Sequence, residues 1–139
     1  MLKVKRPVTI LLVLTPTLQT KMQQEYQGYI RRYELEIEQL QFQSKKLLQE
    51  AAKRGIEAQR LVQERLGKEE KLRREKVIQY KEMLAQLERL PIGSEIEHSS
   101  LETEVEVEVG DHWDKLIGKY EIVVKDGIII EVRNGVNQT

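Results

Sequence analysis

One stretch of the chain places a histidine among carboxylates, the combination that a general base or a metal site requires. It comprises Asp111, His112 and Asp114, with Glu108 just before them. Adjacent positions in a turn do not converge on one point as ligands must, and an aspartate after a glycine, as in Gly110-Asp111, is typical of turns. The pattern therefore predicts a turn, and neither a catalytic nor a metal site.

The other residue types that support catalysis stand alone. His98 precedes Ser99 and Ser100 without the glycines of a nucleophile elbow, and no glycine-rich loop that could cradle a phosphate occurs. The chain has no cysteine, which excludes thiolate nucleophiles, disulfides and cysteine-based metal sites. We therefore expect no enzymatic activity, no catalytic residue, no metal and no cofactor.

A basic segment offers binding chemistry instead. Residues 1–90 hold 19 Lys and Arg against 12 acids, a net +7, whereas residues 91–139 hold 4 against 11, a net −7. The cations of the segment are Lys45, Lys46, Lys53, Arg54, Arg60 and Arg65, against Glu50, Glu57 and Glu64. They could meet the phosphates of RNA, but no aromatic residue lies among them from Gln43 to Gln79. A solvated, charged tip is the default interpretation, and RNA contact is the alternative.

The element that must carry this basic segment is helical and covers residues 16–90. Apolar side chains of its first half are spaced four and three apart, as in a coiled-coil seam: Tyr26, Ile30, Tyr33, Ile37, Leu40, Ser44, Leu47 and Ala51. Gly55 predicts a turn near residues 53–57. The second arm continues the seam at Val77, Tyr80, Leu84 and Leu87, with Glu70 and Arg73 in line with it. Because Pro91 ends that arm, the pattern predicts an antiparallel coiled-coil hairpin.

Five apolar residues of the two arms do not belong to the predicted seam. They are Leu35, Phe42, Leu61, Leu72 and Ile78. An apolar strip left in water usually marks an interface. We therefore expect these residues to support self-association, giving a homodimer or a higher symmetric oligomer.

The two chain ends predict strands. Residues 1–15 contain the continuous apolar run Val8–Leu14, which fits a strand covered on both faces and is too short for a membrane span. Residues 91–134 contain an alternating strand at 101–109 and a hairpin whose turn is Asp126-Gly127. Residues 135–139 are predicted to be a frayed tail. The fold class is α+β, a long antiparallel helical hairpin on a small, mainly antiparallel β module formed by both chain ends.

Two features of the β module have competing interpretations. The single tryptophan, Trp113, is predicted to fill the core of the module, because a lone indole in a small β unit more often packs inside than binds a partner. The alternating glutamates from Glu102 to Glu108 are predicted to keep an exposed sheet face solvated and to blunt edge pairing. A basic partner or a cation bound by this acidic ridge is the alternative.

Three segments, LPIGSEIE, VEVEVGDHWDKL and IVVKDGIIIEV, resemble the bacterial YlqD family, and the resemblance extends over essentially the whole chain. The resemblance implies a cytoplasmic location. Because the family has no established activity, it supplies no catalytic residues. Its members are often encoded near ribosome-maturation genes, which is an association with ribosomes and not a mechanism.

Together these patterns predict a non-catalytic interaction or scaffold protein whose partner the sequence does not identify. An RNA- or ribosome-associated factor that binds through the basic tip is the alternative, and a prefoldin-like holdase is a further one. No contact with a membrane is expected.

Overall fold

A computed structural model describes residues 2–134 of the chain; Met1 and residues 135–139, the tail that the sequence predicts to be frayed, lie outside the described residues. The elements, in chain order, are β1 (Leu2–Val13), α1 (Pro16–Ala52), α2 (Ile56–Arg89), β2 (Glu95–Val107), α3 (Trp113–Leu116), β3 (Tyr120–Lys125) and β4 (Ile128–Arg133). The α+β prediction is confirmed: two long helices form a hairpin, and both chain ends supply a four-stranded, mostly antiparallel sheet. The chain divides into two compact units, residues 20–89 and the residues on either side of them.

The sheet is built around the N-terminal strand. Its order is β2-β1-β3-β4, in which β1 pairs antiparallel with β2 and parallel with β3, and β3 pairs antiparallel with β4. The apolar run of β1 suits this central position, because Val8 and Leu11 are both buried and Leu14 is wholly enclosed. The N-terminal run is therefore a structural strand of the sheet.

Two local devices fix the ends of these elements. Asp126 and Gly127 both have positive φ, 49° and 81°, as the tight type I′ turn between β3 and β4 requires. The Thr15 hydroxyl accepts a hydrogen bond from the Leu18 amide at 3.2 Å, which caps α1. The same hydroxyl donates to Asp126 Oδ1 at 2.7 Å, so the cap of the helix also ties down the β turn.

The helical unit is an antiparallel pair whose turn lies at residues 53–55, with Gly55 at a φ of 115°. The seam of α1 follows the predicted spacing as far as Ser44, after which Leu48 is half-buried and Leu47 is exposed. Ala51 is buried again at its predicted position, so the departure is confined to the turn that holds Leu47 and Leu48. The placement of Leu47 in the seam was therefore wrong.

Aromatic packing holds the arms together at one level. Tyr80 of α2 lies against Tyr26, Tyr29 and Tyr33 of α1, with ring centroids 6.3, 4.9 and 6.1 Å away. Burial raises the pKa of the Tyr26 phenol, helped by the neighbouring charge of Glu25 and by Tyr80.

Polar side chains occupy the seam further along α2, where the sequence places Glu70 and Arg73. Arg73 Nε lies 3.6 Å from a carboxylate oxygen of Glu36 across the hairpin. Glu70 accepts hydrogen bonds from Gln41 and from Arg74, each at 2.9 Å. These two bonds, that of Gln41 first, lower the pKa of the Glu70 carboxyl. Ile37, next to Glu36, is buried, so this stretch of the hairpin combines directional contacts with apolar packing.

Candidate interaction surfaces

The Asp111 to Asp114 stretch is a structural turn. Gly110 has a φ of 103°, and the Asp111 carboxylate accepts a hydrogen bond from the Glu108 amide at 2.8 Å. The Asp111 amide in turn donates to the Glu108 carbonyl oxygen at 3.2 Å. The Asp111 carboxylate, next to His112 in the sequence, thus stabilises the backbone of the turn.

The described part of the chain holds no group of residues that could bind a metal ion. Among residues 2–134, no three His, Asp or Glu side chains are grouped so that they could hold a metal ion. The ring of His98 lies 3.1 Å from the Ser99 hydroxyl, and no carboxylate among these residues orients that ring. No helix of residues 2–134 is both long enough and apolar enough to cross a membrane.

The prediction that Trp113 fills the core is wrong. Its side chain is 57% exposed at the start of α3. The guanidinium of Arg6 stacks on the ring of Tyr120 at 3.6 Å and donates to the Leu116 carbonyl oxygen at 3.4 Å. The Tyr120 hydroxyl donates to the Lys115 carbonyl oxygen. Arg6 therefore covers the ring of Tyr120, and Trp113 lies at the surface.

The six cations of the basic tip are all exposed, but they are not equivalent. Arg60 pairs with Glu57 at 3.0 Å and with Glu64 at 3.8 Å, and Arg65 pairs with Glu69 at 3.8 Å. Within residues 2–134 the other four cations form no side-chain ion pair; they are Lys45, Lys46, Lys53 and Arg54. These four are free to meet an anionic partner without losing an existing contact.

The five apolar residues that the sequence places outside the seam are all exposed. Leu61, Leu72 and Ile78 stand separately along α2. Leu35 and Phe42 of α1 are 53% and 84% exposed. They lie seven residues apart, which is two helical turns, on the face opposite the seam residues Tyr33, Ile37 and Leu40.

Cations bracket these two apolar residues on the same face of α1. Arg31 and Arg32 lie one turn before Leu35, and Lys45 and Lys46 lie one turn after Phe42. Arg32 is 3.9 Å from Glu36, whereas the two lysines are unpaired. We call these six residues the outer face of α1. The exposed Glu38 lies between Leu35 and Phe42 on this face, so the centre holds one carboxylate beside two apolar side chains, with cations at both ends. Such a surface suits a partner that has apolar groups and places its acidic groups against the ends.

Arg133 is the centre of an ion-pair network that the sequence does not predict. Arg133 binds both carboxylate oxygens of Glu95, at 2.9 and 2.5 Å, and contacts Glu121 at 3.6 Å and Glu131 at 3.2 Å. The hydrogen bonds from Arg133 lower the pKa of the Glu95 carboxyl. Glu95 begins β2 and Arg133 ends β4, the two edge strands, so the sheet curves until its edges approach. Partners 38 residues apart leave no spacing signal in the sequence.

Comparisons with known proteins agree with one another. The sequence model of the family described as YlqD protein matches residues 2–133. A Bacillus subtilis (strain 168) protein named "Uncharacterized protein YlqD" is 29% identical over 126 residues, which are 91% of this chain and 94% of that protein. A crystal structure of a protein of unknown function from Synechococcus sp. WH 8102 has a TM-score of 0.79 at 23% identity, covering 95% of this chain and 94% of its own. That structure shares the fold.

Proposed function

The chain belongs to the YlqD family, and from that premise we propose that it is a non-catalytic interaction protein whose hairpin binds an acidic protein partner through the outer face of α1. The carrying observation is Phe42, an aromatic side chain left 84% exposed beside two unpaired lysines. Large aromatic side chains, phenylalanine among them, are enriched in protein interfaces relative to the rest of the surface. A solvated helix face has no physical need of one.

A site-specific crosslinker tests this proposal in the source cells. A photoreactive residue replaces Phe42 in one variant and Glu82, an exposed position of α2, in the control variant. The Phe42 probe should capture a distinct partner that the Glu82 probe does not capture, and Arg31→Glu with Lys46→Glu should weaken the capture, because both changes repel an acidic surface. Identical capture from both positions would contradict the proposal.

Self-association through the arms is a second use of the same apolar residues. In a two-fold, antiparallel pairing of α1 that sets Leu35 against Phe42, Arg31 lies opposite Lys46 and Arg32 opposite Lys45. Like charges placed opposite one another repel and oppose assembly. On the outer face of α1, an acidic partner is therefore favoured over a second copy of the chain. If the arms do pair, Leu35→Gln with Phe42→Gln converts the oligomer to a monomer in light scattering while helicity stays.

RNA is the second candidate partner, supported by the four unpaired cations of the tip. Phosphate contacts release counterions, so binding to RNA should weaken steeply with salt and disappear when Lys53, Arg54 and Arg60 become Glu. The matched control reverses the same number of charges on α2, at Lys68, Lys71 and Lys76. Equal losses from both triple variants would mean that net charge, and not the tip, governs binding.

A cytoplasmic location is part of the proposal and rests on the family resemblance. Fractionation of the source cells, with detection of the untagged protein, checks it directly.

A further inference from the structure

The inward-facing positions of the hairpin continue in phase through its turn. The buried or half-buried residues on either side of the turn are Ser44, Leu48, Ala51, Ala58, Val62 and Leu66. Between Ala51 and Ala58 the missing position is Gly55, four residues after the first and three before the second. A coiled-coil seam alternates steps of three and four along one helix. The spacing is therefore that of a single helix running through residues 53–55, although a turn leaves two arms free to differ in phase.

The turn itself is short and has no side-chain cap. Residues 53–55 separate α1 from α2, and the φ of Gly55 is 115°. The Gln59 amide donates to the Gly55 carbonyl oxygen at 3.2 Å, so Gly55 is the N-cap of α2. It has no side chain that could accept from the amides of residues 56–58, which the start of an α-helix leaves without an intrahelical partner. A continuous helix would pair those three amides with the carbonyl groups of residues 52–54.

We propose that two copies of the chain exchange arms: the turn opens, α1 and α2 become one helix, and α1 of each copy packs against α2 of the other. Each contact across the hairpin is then re-formed between copies, including the stacking of Tyr80 on Tyr29 and the ion pair of Arg73 with Glu36. The strand β1 leads directly into α1, so it is exchanged as well and pairs with β2 and β3 of the second copy. Such an exchange gives a closed two-fold dimer at low cost, because its contacts already exist in the single chain.

Size and charge suit a second copy where the two opened turns cross. Residues that face one another in the hairpin are nearly equidistant from Gly55, since Gln41 is 14 residues before it and its hydrogen-bond partner Glu70 is 15 residues after it. In the exchanged dimer Gly55 therefore faces Gly55 of the second copy, and the absence of side chains lets the helices approach closely. Lys53 faces Glu57 of the second copy. Because Lys53 forms no ion pair within residues 2–134, the exchange adds one ion pair on each side of the axis.

The hairpin and the exchanged dimer are close in free energy because they share almost all contacts. Exchange adds three backbone hydrogen bonds per chain and removes the independent motion of two molecules. Glycine disfavours the interior of a helix, so Gly55 keeps the hairpin competitive and makes the dimer depend on concentration. We therefore expect both forms at high micromolar concentration. The dimer carries two copies of the outer face of α1, and its formation does not depend on what binds there.

Crosslinking between two different variants detects the exchange. Lys81 Nζ lies 3.7 Å from a carboxylate oxygen of Glu34 across the hairpin, and both side chains are exposed. The chain has no cysteine, so Glu34→Cys and Lys81→Cys each introduce one thiol into separate full-length proteins. The two proteins are unfolded together in urea, refolded at high micromolar concentration and treated with a short bismaleimide. A covalent heterodimer joined at these two positions requires exchanged arms, because a side-by-side dimer keeps each facing pair within one chain.

Two substitutions at the turn should shift the equilibrium in opposite directions. Gly55→Ala is strained at the positive φ of the turn and favours a continuous helix, so it should lower the dimer dissociation constant roughly tenfold or more. Ile56→Pro suits the first position of α2 but breaks a continuous helix, so it should abolish the heterodimer crosslink. Ile56→Ala is its control, because it removes the same side chain and leaves the helix free to continue. Sedimentation at several concentrations gives the dissociation constants, and circular dichroism confirms folding.

A heterodimer crosslink that Gly55→Ala strengthens, that Ile56→Ala retains and that Ile56→Pro removes supports the exchange of arms. Absence of the crosslink at high micromolar concentration overturns exchange in the natural chain, even if Gly55→Ala creates it. A crosslink of equal strength in folded Ile56→Pro also overturns it. A dimer that persists in Ile56→Pro without the crosslink, and that Leu35→Gln with Phe42→Gln dissociates, assigns association to the outer face of α1 instead.

Discussion

At the scale of single residues, Thr15 does more than its sequence position suggests, because its hydroxyl caps α1 and also binds Asp126. Thr15→Ala removes both hydrogen bonds, and we expect it to lower the free energy of unfolding by about 1–2 kcal/mol. Thr15→Ser keeps the hydroxyl and should retain most of the stability. Urea denaturation monitored by circular dichroism measures each change.

Thr17, an exposed threonine two residues further along, supplies the control for this prediction. Thr17→Ala removes a hydroxyl near the helix start without touching the cap, and its effect should stay within about 0.5 kcal/mol. If both alanine variants lost the same stability, the paired hydrogen bonds of Thr15 would have no special role.

The Arg133 network predicts how stability depends on acid. The pKa of the Glu95 carboxyl is lower in the folded chain than its usual 4.5, so folding favours the ionised form. This contribution is complete above that value and is lost as the pH falls through the lower, folded pKa. Glu95→Gln should therefore reduce stability at neutral pH and make the acid limb of the stability profile shallower.

Glu97 provides the comparison for the acid prediction, since it is an exposed glutamate on the same strand without a cation partner among the described residues. Thermal melts at a series of pH values should show Glu97→Gln following the wild type. A wild-type profile that stays flat from neutral pH down to strong acid would exclude a stabilising role for the Arg133–Glu95 pair.

The sequence predicts the local role of a residue but not its long-range contacts. The N-cap role of Thr15 is local, because a threonine before a proline marks a helix start by itself. Its second partner, Asp126, is 111 residues away. The stacking of Arg6 on Tyr120 likewise forms only after the strands have paired, because the two residues are far apart in the sequence. Long-range partners of this kind carry no signal in spacing.

At the scale of elements, the two long helices contain two glycines, Gly28 and Gly67, that the backbone conformation does not require. A Cβ added at Gly28 or Gly67 meets nothing within 4 Å, and neither residue has positive φ. Gly67→Ala, at an exposed position of α2, should raise the stability of the hairpin by about 0.5–1 kcal/mol through helix propensity. Chemical denaturation of the intact chain measures it.

Substitution of Gly127 by alanine should change the stability in the opposite direction to Gly67→Ala. Its φ of 81° lies in the region that side chains rarely adopt, so Gly127→Ala should lower stability although the space around it is empty. Stabilisation by both alanine variants would show that backbone strain in the β turn is negligible.

Element boundaries were predictable where the periodicity was unbroken. The hairpin of β3 and β4 has the bounds that the Asp126-Gly127 turn implies. The strand β2, by contrast, begins at Glu95, six residues before the alternation that reveals it. His98 is an extra residue in its pairing with β1, since Ile10 pairs with Ser99 and Leu11 with Glu97. Such a bulge breaks the period of two, and the first half of the strand loses its signature.

The pairing of the sheet strands illustrates the same limit at a larger scale. Each strand shows apolar residues in the sequence, but which of them share a face depends on the two bulges that set the register, at His98 on β2 and at Ile130 on β4. A slip of one residue would move every side chain to the other face. The sequence therefore predicts the composition of the sheet, and the pairing determines which side chains share a face.

At the scale of the whole molecule, the chain ends depend on one another. The strand β1 pairs with β2 from Leu2 to Val13 and with β3 from Val8 to Leu12, so it occupies the middle of the sheet. Without it, β2 has no neighbour and β3 with β4 form only an isolated hairpin, which is marginal in water. Removing residues 1–14 should therefore abolish the strand signal in circular dichroism, while much of the signal of the long helices persists.

Complementation makes this last prediction specific. A synthetic peptide of residues 1–14 added to the truncated chain should restore the strand signal, because the missing strand can pair with both neighbours without a covalent link. A peptide in which Val8 and Leu11, the buried residues of the two faces, become Asp should not restore it, since each buried charge would lack a partner. A truncated chain that kept the strand signal and melting temperature of the intact protein would show that residues 1–14 lie outside the fold.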